Sequence, residues 1–138
     1  MNNILIDSGF WYALFNERDE HYKTANKLFG YLDKGMIIIP FPSLYETINT
    51  RFSKRIDHMI KFEKIIERQN VVLLDDSSYK NSALKNTFAY SFKSKNISLV
   101  DMIIRLIILD QNINYLLTFN KKDFIDICLK RRVSILPE

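Results

Sequence analysis

Cysteine, tryptophan, glycine and proline are scarce in this chain: one, one, three and three among 138 residues. The lone Cys128 excludes a disulfide framework and a cysteine-based zinc site, and it fits a reducing compartment. So few glycines and prolines exclude collagen-like repeats, low-complexity linkers and turn-dense β-sandwiches. No apolar run approaches the ~18 residues of a membrane span; 36–39 is short, and 102–109 is interrupted by Arg105. The first residues lack the basic start and cleavage site of a secretory signal, so a cytoplasmic protein with no membrane contact is expected.

What is present is an ordinary soluble balance, 47% hydrophobic and 26% charged. The length suits a single domain over 1–138 that buries roughly two-thirds of its unfolded surface. A net charge of +4 is compatible with a polyanionic partner, and equally with solubility alone.

Five short apolar runs read as strands: 3–6, 36–39, 71–74, 115–118 and 133–136. Between them the spacing predicts helices over 10–15 and 21–34, the latter closed by Gly35. Ser43 is placed to cap a helix that turns Leu44, Ile48 and Phe52 inward. An amphipathic helix follows over 56–67, with Met59, Ile60 and Ile66 on its apolar stripe. Asp75 to Ser78 are expected to cap a helix running roughly to Ser94. Ser98 caps another that runs to about Gln111, and 121–129 is short or irregular. Continuous Val, Ile and Leu runs alternating with helices predict a parallel sheet covered on both faces. The expected fold is an α/β three-layer sandwich with about five central strands.

Ligands in such sheets bind beyond the carboxyl ends of the strands. Asp7 ends the first strand, Glu46 follows the second, Asp101 opens the helix before the fourth, and Asn120 and Asp123 follow the fourth. Each acid alone reads as a cap or a surface charge. Asp101 is the exception, because a carboxylate among Leu99, Val100, Met102, Ile103 and Ile104 needs a partner. Gathered together, the acids repel and require a cation. Oxygen-only ligands select hard ions such as Mg²⁺ or Mn²⁺, which suits phosphodiester hydrolysis.

Ile4-Leu5-Ile6-Asp7-Ser8, Leu44-Tyr45-Glu46, Ser98-Leu99-Val100-Asp101 and Leu117-Thr118-Phe119-Asn120-Lys121-Lys122-Asp123-Phe124 resemble, in order, the four blocks of the PIN-domain ribonucleases. Within that family the chain resembles the VapC-type toxins of bacterial toxin–antitoxin pairs. The resemblance spans nearly the whole chain and implies a Mg²⁺- or Mn²⁺-dependent endoribonuclease with a PIN-like α/β/α fold. It further implies an RNA substrate, a small antitoxin partner and a homodimer. Asp7, Glu46 and Asp101 match the family's acidic ligands, Thr118 a supporting hydroxyl, and Ser8 the small residue after the first acid. At the fourth acidic position this chain has Asn120, with Asp123 three residues on; either fills that place. The loss of one charge motivates a second reading, a catalytically silent PIN-fold module that binds RNA or protein.

Arg51, Lys54, Arg55, Lys61, Lys64 and Arg68 follow the Glu46 segment. The first three read equally as phosphate contacts or as solvated charges. The last three read as solvated faces, with Glu63 and Glu67 available for ion pairs. Phe10, Trp11, Tyr12 and Phe15 read as packing or a partner contact. His21 and His58 read as isolated surface residues, and Cys128 as a buried small hydrophobe.

Overall fold

The computed structural model describes residues 1–93 and 95–138. Five strands form one parallel sheet: β1 (Asn2–Ile6), β2 (Gly35–Pro40), β3 (Val71–Leu74), β4 (Tyr115–Leu117) and β5 (Ser134–Leu136). Their spatial order is β3-β2-β1-β4-β5. The chain builds outward from β1 to β3, then returns past β1 to add β4 and β5 on the other flank. That winding reverses between β1 and β4, the place where sheets of this kind form a ligand-binding crevice beyond their strand ends.

Strand alternation divides the apolar residues between two cores. Ile4, Ile6, Ile37, Ile39 and Leu117 face one core, covered by α1 (Ser8–Phe15), α2 (Tyr22–Phe29), α3 (Phe41–Thr47), α4 (Thr50–Ser53) and α5 (Ile56–Ile66). Leu5 and Leu116 face the other, covered by α6 (Lys80–Phe92), α7 (Leu99–Asp110) and α8 (Ile125–Arg131). The result is the three-layer α/β/α sandwich expected. The strands read as unbroken apolar runs because both faces of the sheet are covered.

Several local expectations are corrected. Gly35 does not close a long helix. The helix ends at Phe29, a 3₁₀ turn covers Leu32–Lys34, and Gly35 starts β2. A Cβ at Gly35 would stand 2.8 Å from the Asn2 carbonyl oxygen and from Ile4 Cδ1, so close strand approach is what this glycine serves. Ser43 is no cap; it is fully buried inside α3, which starts after Pro40 with Pro42 in its first turn. The helix carrying Leu44, Ile48 and Phe52 is two helices, because the chain leaves helical geometry at Ile48 and Asn49 caps α4. Asp75 to Ser78 form a turn; α6 begins after Tyr79 without a side-chain cap and ends at Phe92. The expected helix end at Ser94 lies outside the described residues. Ile60 is exposed, while Phe62 and Ile65 carry the buried stripe of α5. β3 is a sheet edge, with Val72 and Leu73 exposed. His58 is packed beside Phe15 and Phe52, and His21 stacks on Phe119 with ring centroids 4.1 Å apart. Cys128 is buried, as expected.

Candidate active site

Asp7 is the first residue beyond β1, and its N–H donates to the Leu117 carbonyl at 3.0 Å, joining the end of β1 to the end of β4. One carboxylate oxygen caps α1 by accepting from the Ser8 N–H at 2.7 Å. The other accepts from Thr118 Oγ1 at 2.9 Å. Thr118, buried just past β4, accepts in turn from the Asn120 N–H at 3.0 Å.

The side-chain amide of Asn120 has two hydrogens and two carboxylate acceptors. Its nitrogen lies 2.6 Å from Asp123 Oδ2 and 3.4 Å from Asp101 Oδ2. At the opposite end, the Ser8 hydroxyl donates to Glu46 Oε1 at 2.9 Å. An unbroken sequence of polar contacts therefore runs Glu46–Ser8–Asp7–Thr118–Asn120, and ends on Asp101 and Asp123 together. The residues singled out from four separate stretches of sequence stand side by side at the β1–β4 crevice.

Each acid arrives by a different local device. Asp7 and Thr118 are fixed by strand ends. Asp101 is held in the first turn of α7, where the Ser98 hydroxyl accepts from its N–H at 3.1 Å. Glu46 rides on the last turn of α3. Tyr12 fastens that turn by donating its hydroxyl hydrogen to the Glu46 carbonyl, while Asn49 Nδ2 donates to the Tyr12 oxygen at 2.8 Å and to the Glu46 carbonyl at 3.1 Å.

The electrostatics are those of repelling acids in a partly dry place. Burial pushes Asp7 above the usual carboxylate range, against the opposing pull of its Thr118 and Ser8 hydrogen bonds. Glu46 is raised chiefly by burial, with Asp7 adding repulsion. Asp101 is raised to about 7, first by burial and then by the charges of Asp7, Glu46 and Asp123. Among the described residues, no Lys, Arg or His nitrogen is within salt-bridge distance of any of these four acids.

This donor set fits a hard divalent cation in its chemistry: clustered oxygens, excess negative charge and no protein cation to cancel it. The side chains are not in ligating positions. Among the described residues, no group of three or more His, Cys, Asp or Glu side chains is arranged to hold an ion. The carboxylate oxygens are engaged instead by Ser8, Thr118 and Asn120.

One part of the site was not foreseen. Arg105, one turn along α7 from Asp101, is buried and forks onto Asp126 at 2.7 and 2.8 Å. The same guanidinium donates to the backbone carbonyl of Asp123 at 2.7 Å, fixing the segment that presents the Asp123 carboxylate. The sequence held a signal for it, since a charge inside so apolar a helix needs a partner. Tyr12 and Asn49 left no comparable signal.

No family model matches the chain, and no curated protein is a significant match. Among solved structures, VapC20 of Mycobacterium tuberculosis, described as a toxin that cleaves the sarcin-ricin loop, is similar with a TM-score of 0.70. The identity is 19%, over 89% of this chain and 94% of that one. At such identity the likeness establishes the fold, and the chain has the PIN-like α/β/α architecture.

Proposed function

We propose that the chain is a metal-dependent endoribonuclease that hydrolyses RNA phosphodiester bonds, and that it is the toxin of a toxin–antitoxin pair. The observation that carries this reading is the meeting of Asp7, Glu46, Asp101 and Asp123 at the sheet's switch point without a neutralising cation. Likeness to a toxin that cleaves the sarcin-ricin loop, over nearly the full length of both chains, supports the same reading.

Mg²⁺ or Mn²⁺ would be held by Asp7, Glu46 and Asp101, with Asp123 as the fourth acid. When bound, such an ion polarises phosphoryl oxygens and acidifies water. The remaining work falls to the chain. Ser8 and Thr118 fix the orientation of Asp7. Asn120 stands as a clamp between Asp101 and Asp123, so the fourth acidic place belongs to Asp123. Burial and the neighbouring acids raise the ion-free Asp101 carboxyl to about 7, so an ion held there would displace its proton and affinity should rise with pH. In-line attack of a water oxygen on phosphorus, with loss of its proton and cleavage of the P–O3′ bond, would leave a 5′-phosphate on one fragment and a 3′-hydroxyl on the other.

RNA and a small antitoxin are the partners. The chain pairs with a second copy through the apolar residues left exposed on α6, where Leu84, Phe88 and Phe92 are spaced four apart, and on the open β3 edge. Light scattering at micromolar protein tests the pairing, and a monomer contradicts it. Among the described residues, no helix is long and apolar enough to cross a membrane.

The test of activity is cleavage of total RNA with and without Mn²⁺, comparing the wild type with Asp101→Asn. Cleavage should require the ion and fall by more than ~10²-fold in the variant. Equal activity in both proteins contradicts the assignment. A silent module, the competing reading, predicts no Mn²⁺ binding by calorimetry, with RNA or without it.

A further inference from the structure

A groove of about 710 Å³ lies apart from the acidic residues. One wall is the turn after α1 together with α2; the other is α4 and α5. Six cations line it, namely Arg18, Arg51, Arg55, Lys61, Lys64 and Arg68, against the acids Glu17 and Asp57. Arg55 is paired with Asp57 at 3.3 Å, and Arg68 with Asp33 at 2.9 Å. Among the described residues, Arg18, Arg51, Lys61 and Lys64 have no carboxylate within salt-bridge distance. Glu63 and Glu67 do not pair with them, contrary to the expectation of internally neutralised helix faces.

Four like charges left unneutralised around one concavity repel one another, and an added anion relieves the repulsion. Their arrangement narrows the choice of anion. Lys61, Lys64 and Arg68 are spaced i, i+3, i+7 on α5 and its end, a row spanning ~10 Å at 1.5 Å per residue. Arg51 stands on α4, two residues after Asn49, the residue bonded to the Glu46 carbonyl. α1 has its N-terminus at Asp7 and its C-terminus at the groove, eight residues or ~12 Å away. A row of separated cations set about one helix length from the acidic crevice suits a strand bearing one charge per nucleotide. Tyr22 and Phe29 add half-buried rings between the two walls.

We propose that this groove is the track for the phosphate backbone of RNA flanking the bond held at the Asp7–Asp101 crevice. The proposal rests on the ribonuclease reading for the position of that bond. It adds that affinity for RNA resides in Arg51, Lys61 and Lys64, away from the reacting atoms. The acidic crevice repels the backbone, and the groove offsets that repulsion one helix length away.

The test uses full-length Asp101→Asn protein in chelator, so that binding is read without cleavage. A labelled single-stranded RNA of about 20 nucleotides is titrated by fluorescence anisotropy across a salt series. The Arg51→Ala/Lys61→Ala/Lys64→Ala variant should bind at least ~10-fold more weakly at low salt. Its salt slope should be shallower by ~2, at ~0.7 per lost phosphate contact. Lys85→Ala/Lys93→Ala/Lys130→Ala, which removes the same charge elsewhere, should change affinity less than ~3-fold. All substituted side chains are exposed, and circular dichroism checks the fold. Equal losses in the two variants, or unchanged RNA affinity in the groove variant, overturn the proposal; the second result points to an acidic protein as occupant. Absence of RNA binding in the starting protein overturns it as well. The nuclease reading fails separately: if wild type with Mn²⁺ leaves RNA intact while the groove variant loses binding, the chemistry is wrong and the track stands.

Discussion

Asp101 and Asp126 are two carboxylates near the same helix with opposite fates. Arg105 forks onto Asp126 and holds it down to about 2. Asp101, one turn from Arg105 along α7, has no ion pair with it and is pushed up to about 7. The guanidinium is turned away from the crevice and spent on the segment behind it. An arginine aimed the other way would pair with Asp101 and cancel one of the site's negative charges. The contrast teaches that the negative charge at the crevice is maintained, with the available cation used to hold Asp123 in place.

The largest disturbance of that contrast is Arg105→Ala. It removes a fork that is buried on the arginine side, orphans the Asp123 carbonyl and frees the 121–126 segment. A loss of about 2–3 kcal/mol in unfolding free energy is expected in urea titrations. Arg105→Lys should recover only part of it, since an ammonium cannot span both Asp126 oxygens. A loss below about 0.5 kcal/mol for Arg105→Ala would mean the fork is ornamental.

A smaller effect follows from pH. The folded Asp101 value lies above the ~3.9 of an unfolded chain, so the folded state holds its proton more tightly. Its contribution is fully present below about pH 4 and is lost as pH rises through about 7. Part of the side chain still meets solvent, so in chelator the stability lost is about 2 kcal/mol, less than the full shift implies. Asp101→Asn should flatten this dependence. A wild-type profile already flat between pH 5 and 8 contradicts the raised value. Smallest is Ser8→Ala, which cuts the link between Asp7 and Glu46 and should cost about 1 kcal/mol by thermal melting.

The fold was legible because its strands are buried on both faces and therefore read as unbroken Val, Ile and Leu. Legibility ended where the pattern permitted two structures. Leu44, Ile48 and Phe52 keep helical spacing straight through the break between α3 and α4, and only Asn49 marks it. Gly35 reads as a helix stop, yet its missing side chain serves the approach of β1. In the site, the acids were readable because Asp7, Glu46 and Asp123 follow shortly after strand ends and Asp101 falls in a helix's first turn. Their connectors were less so. Thr118 and Ser8 carry recognisable roles only through family likeness, and the two-way clamp of Asn120 is invisible until Asp101 and Asp123 meet. The groove was half read: Arg51 and Arg55 stood out in sequence, whereas Arg18 joins them only because α1 and α5 pack together.

The central claim, that these carboxylates share a divalent ion, is tested most directly by the melting temperature at pH 8 with and without Mn²⁺. Wild type should melt several degrees higher at saturating Mn²⁺, by mass action on the folded state, and Asp101→Asn should lose most of that rise. A wild-type melting temperature indifferent to Mn²⁺, or a rise retained in full by Asp101→Asn, contradicts it.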